Sequence, residues 1–87
     1  MAIRRQQEQF IHLVRLAWDL RMAGLSATVD LPRGGEPAVL IPGARGPLKV
    51  MVSTQGADWF FTWGRGRDQR VRALDADAFQ RVREVAR

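Results

Sequence analysis

The first third of the chain has the hydrophobic periodicity of one long helix, which we predict over residues 3–23. One narrow face of this helix carries the polar residues Glu8, His12, Arg15 and Asp19. Apolar side chains fill nearly all of the remaining surface, whereas a helix that packs on one sheet needs an apolar stripe of only about 100°. Either other elements therefore wrap this helix, or part of its apolar surface forms an interface.

Four short segments after this helix have the alternation or the apolar content of β-strands. They span residues 27–31, 38–41, 48–53 and 59–63. The connections between them are short and rich in turn-forming residues, so consecutive strands are expected to pair antiparallel as a meander. Residues 70–72 are a candidate for a short fifth strand at the edge of the sheet.

A second helix is predicted to begin after Asp75, an N-cap residue type, and to continue to about Ala86. Leu74 and Phe79 have the spacing of a hydrophobic staple around that cap. A chain of 87 residues is the size of one domain. We therefore predict a single two-layer α+β domain over residues 1–87, of order α-β-β-β-β-α, with both helices on one face of a four-stranded antiparallel sheet.

Charge and composition bear on partners and location. The formal net charge of +5 favours anionic partners such as nucleic acids. All the basic residues except Lys49 are arginines, however, and codon choice in a GC-rich genome produces the same bias whatever the protein binds. The chain has no cysteine, no signal-peptide pattern and no segment apolar enough to span a membrane. We therefore expect a cytoplasmic protein with no membrane partner.

Catalytic chemistry has little support in the sequence. His12 is the only histidine, and the pair that it makes with Glu8 lacks the third ligand of a metal site. A ladder of surface ion pairs, Glu8–His12 and Arg15–Asp19, explains this spacing more simply. Neither serine lies in a nucleophile-elbow sequence, and the glycine-rich segments lack the ending of a phosphate loop. We expect no enzyme activity, no cofactor and no metal.

The aromatic segment from residue 59 to residue 63 is the first candidate for an interface. Alternation places Trp59, Phe61 and Trp63 on one face of the sheet and Phe60 on the other. Core packing accounts for the first face. Phe60 and Met51 then form a candidate apolar patch for protein contact on the second face. The alternative is that a chain terminus or an edge loop covers Phe60.

A group of arginines is the second candidate site. Alternate turns of a meander lie at the same end of the sheet, which brings Arg45, Arg65 and Arg67 together beside Arg21 in the last turn of the first helix. This group is a candidate patch for anions or nucleic acid. Alternatively, Arg21 offsets the negative pole of the helix and the loop arginines are simply solvated, which is the interpretation that we favour.

Residues 59–65, Trp-Phe-Phe-Thr-Trp-Gly-Arg, with the capped helix after Asp75, resemble a group of small uncharacterised proteins from high-GC Gram-positive bacteria. Members of that group accompany helix-turn-helix regulators, so the resemblance implies an accessory regulatory role. This chain has a longer and more charged link before Asp75, and the group supplies no catalytic residues. We predict a non-enzymatic interaction protein that forms a homo-oligomer or binds a protein partner, with nucleic-acid binding as the alternative.

Overall fold

Every predicted strand forms, and the strands pair in sequence order into one antiparallel sheet, β1-β2-β3-β4-β5. The structure is a computed structural model that describes residues 2–43, 46–64 and 66–86. Its elements are α1 (Ala2–Met22), β1 (Thr28–Asp30), β2 (Ala38–Ile41), β3 (Leu48–Gln55), β4 (Asp58–Thr62), β5 (Arg70–Arg72) and α2 (Ala78–Ala86). The predicted α+β meander is confirmed, and the fifth strand is part of it because it pairs with β4.

One hydrophobic core lies between the sheet and both helices. Its buried members are Leu13, Leu16, Ala17, Leu20, Ala27, Val39, Ile41, Val50, Val52, Phe61, Ala78, Val82 and Ala86. β2 and β3 each contribute two alternate residues to this cluster, as one face of a sheet requires, and β4 contributes Phe61. Because both helices contribute to the same cluster, both lie on that face of the sheet, as predicted.

The end of α1 is fixed by backbone hydrogen bonds. The N–H of Leu25 donates to the carbonyl of Leu20 at 3.0 Å, and the N–H of Gly24 donates to the carbonyl of Arg21 at 2.9 Å. This is the Schellman motif, in which the residue after the helix adopts a positive φ. Gly24 has a φ of 93°, which is favourable for glycine because it has no Cβ.

The start of α2 differs from the prediction. The helix begins at Ala78, whereas the sequence predicted a start directly after Asp75. Asp75 instead closes a turn: its carboxylate accepts the N–H of Asp77 at 2.9 Å, and its carbonyl accepts the N–H of Ala78 at 3.1 Å. Leu74 is 77% exposed, so the predicted hydrophobic staple does not cover it.

Candidate functional site

Five of the eight exposed large apolar side chains among the described residues lie on one face of α1, which we call the α1 stripe. It consists of Phe10, Ile11, Val14, Trp18 and Met22. These side chains are between 39% and 72% exposed, and at 100° per residue they lie within about 120° of the helix circumference. The core face of α1, with Leu13, Leu16 and Leu20, points elsewhere. The wide apolar arc is therefore only partly covered by the described elements.

The polar face of α1 contacts the aromatic strand. The indole N–H of Trp59 donates to the carboxylate of Glu8 at 3.2 Å, and the rings of Trp59 and His12 lie 5.5 Å apart in a tilted arrangement. Neither ion pair of the predicted ladder, Glu8–His12 or Arg15–Asp19, forms. Among the described residues, the single ion pair joins Arg72 to Asp58 at 3.7 Å. Trp59 therefore packs against the core and covers it on this side.

Partial burial lowers the pKa of His12 below its ordinary value of 6.5; Glu8 opposes this shift and Arg15 adds to it. The folded protein therefore holds a proton on His12 less readily than the unfolded chain does, so stability declines as the pH falls below about 6.5. We expect thermal melts to show this decline between pH 8 and pH 5.5, and His12→Gln to flatten it. The same pH dependence in the variant would assign the effect to other groups.

The predicted interface residues Met51 and Phe60 lie on the sheet face away from the helices, and both are half-buried. The guanidinium carbon of Arg70, on β5, lies 5.5 Å from the centre of the Phe60 ring. This is the geometry of a cation–π contact, which covers part of the ring. The edge strand thus shields Phe60, and the larger exposed apolar surface is the α1 stripe.

Two of the four predicted patch arginines, Arg45 and Arg65, lie outside the described residues. Arg21 donates from its Nε to the carbonyl of Ala27 at 2.7 Å, which ties the end of α1 to the segment before β1. Arg67 is exposed in the loop between β4 and β5. Since β1 and β5 are opposite edges of the sheet, four strand spacings of about 4.8 Å separate the two strands. Arg21 lies beside the β1 edge and Arg67 beside the β5 edge, at the same end of the sheet.

Comparison with protein-family models, with curated proteins and with solved structures finds no match to this chain. Within the described ranges, the histidine, aspartate and glutamate side chains do not form a group of three suited to a metal ion. In that same part of the chain, neither helix is long and apolar enough to cross a lipid bilayer.

Proposed function

We propose that this protein is a non-enzymatic interaction module that forms a homodimer through the α1 stripe. The observation that carries this proposal is the exposure of five large apolar side chains on one helix face. With an average side-chain surface of about 200 Å², their exposed fractions amount to roughly 500 Å² per chain. Two copies would bury about 1,000 Å² from these side chains alone, and specific interfaces bury about 1,200–2,000 Å² with their rims.

A second copy suits this surface because a two-fold interface pairs a patch with itself. None of the five members of the α1 stripe is charged. Arg21 lies within the same arc of the helix, and its Nε donates to the carbonyl of Ala27 in the same chain. An antiparallel pair of α1 helices centred on the stripe places Val14 of one copy beside Trp18 of the other, a small residue beside a large one. The same pairing places Phe10 of one copy beside Met22 of the other.

The resemblance of residues 59–65 to proteins that accompany helix-turn-helix regulators supports an accessory regulatory role for this dimer in the cytoplasm. The alternative, a nucleic-acid-binding module that uses the arginine end of the sheet, has less support. Arg21 already donates to Ala27 within the chain, and Arg67 lies toward the opposite edge. The anion patch stays a prediction from sequence.

Sedimentation velocity of the protein from 1 to 100 µM tests the proposed homodimer. We expect a dimer at tens of micromolar, and we expect it to persist in 0.5 M salt because apolar burial rather than charge holds it together. A monomer at every concentration would contradict the proposal, and the α1 stripe would then be a surface for a different protein.

A further inference from the structure

A groove of about 660 Å³ lies between β3, the N-terminal half of α1 and the connection from β1 to β2. Its volume is typical of sites for small molecules, which occupy about 300–1,000 Å³. Its lining includes Gln9, Phe10, Leu31, Glu36, Pro37 and Trp59. Four of these six side chains are apolar or aromatic, which suits a ligand with nonpolar surface.

Two aromatic side chains, Phe10 and Trp59, line the same groove. The Trp59 ring is held in place within the chain, because its indole N–H donates to the carboxylate of Glu8 at 3.2 Å and its centre lies 5.5 Å from that of the His12 ring. A ring that is already fixed loses little entropy when a ligand binds. Aromatic faces attract cations, and quaternary ammonium groups in particular are recognised in this way.

The charges at this groove favour a cation, in a chain whose formal net charge is +5. Glu36 is exposed and is the one charged residue among the described residues that line the groove. Glu8 adds a second carboxylate at the indole nitrogen of Trp59. His12 beside that ring is largely neutral at pH 7, because burial lowers its pKa below 6.5. The described side chains around the groove therefore attract a cation and repel an anion.

We propose that this groove binds a small organic molecule that carries a quaternary ammonium group. The methyl groups on such a nitrogen suit aromatic and aliphatic walls, whereas a primary ammonium has three N–H donors that each need an acceptor. The quaternary ammonium group lies against Trp59 and Phe10, and Glu36 balances its charge. The site is separate from the proposed homodimer, although Phe10 belongs to both the groove and the α1 stripe.

The test compares choline with its neutral isostere, the alcohol in which a tert-butyl group replaces the trimethylammonium group. Each compound is titrated into the ¹⁵N-labelled protein at constant ionic strength. We expect choline to bind with a dissociation constant of about 1–10 mM, at least tenfold more tightly than the isostere. Equal binding of the two compounds would overturn the proposal, and the groove would then suit an apolar side chain of a partner protein.

The indole N–H signals locate the bound choline. The signal of Trp59 should shift during the titration, because this ring lines the groove. Trp18 is the internal control, since its side chain is 65% exposed in the single chain but lies outside the groove. Equal shifts of the two indoles would contradict the proposal, because they would show that choline contacts any exposed tryptophan.

Two matched variants test the role of the carboxylate. Glu36→Gln and Glu84→Gln each remove one negative charge from an exposed glutamate, but only Glu36 lines the groove. We expect Glu36→Gln to weaken choline binding about fivefold and Glu84→Gln to leave it unchanged. Equal effects of the two variants would contradict the proposed site.

The double substitution of Val14→Glu and Trp18→Glu separates this site from the proposed homodimer. Neither residue lines the groove, so choline should bind this variant as tightly as the parent. Loss of choline binding in the variant would contradict a site that is formed by one chain. Sedimentation velocity reports on the homodimer independently, so either proposal can fail without the other.

Discussion

Replacing Phe61 with alanine is expected to lower the free energy of unfolding by about 3–5 kcal/mol. Phe61 is 4% exposed and packs in the core formed by β3, β4 and both helices. Its removal leaves a cavity that the surrounding side chains fill only in part. A domain of 87 residues has a total stability of about 4–13 kcal/mol, so this variant is close to unfolding at room temperature.

Phe60→Ala is the matched control for this substitution. It removes the same side chain at the adjacent position, but from the half-buried outer face of the sheet, where it contacts Arg70. We expect a cost of about 1 kcal/mol, measured for both variants by urea denaturation with circular dichroism. Equal costs for the two variants would mean that the outer face is as tightly packed as the core.

The sequence predicted the elements of the fold because their signals are local. Apolar periodicity, strand alternation and the glycine after α1 each act within a few residues. The start of α2 was missed because Asp75 and Asp77 are equally good cap residues by type. Only the turn that Asp75 closes with its own carboxylate decides between them.

The candidate surfaces were predicted less completely because they depend on long-range packing. The width of the apolar arc on α1 predicted uncovered surface, but the packing of Leu13, Leu16 and Leu20 sets which part is uncovered. The half-burial of Phe60 depends on the pairing of β5 with β4, which brings Arg70 over the ring.

The double substitution of Val14→Glu and Trp18→Glu is expected to weaken the proposed homodimer at least 100-fold. Two-fold symmetry places four carboxylates in the contact, where each loses hydration without gaining a partner. Both side chains are exposed in the single chain, so the stability of the monomer should change little. Sedimentation velocity at 100 µM should therefore show a folded monomer, with the circular dichroism spectrum of the parent.

Leu31→Glu with Leu74→Glu is the control for this experiment. It makes the same change in net charge at two exposed leucines outside α1, so the dimer should persist. The change in net charge cannot explain a difference between the two double variants, because both lower the net charge from +5 to +3. If the stripe variant stays dimeric, the α1 stripe is not the interface, and the outer sheet face with Met51 and Phe60 becomes the surface to test. If both variants dissociate, the contact extends beyond α1, since Leu31 and Leu74 would then lie within it.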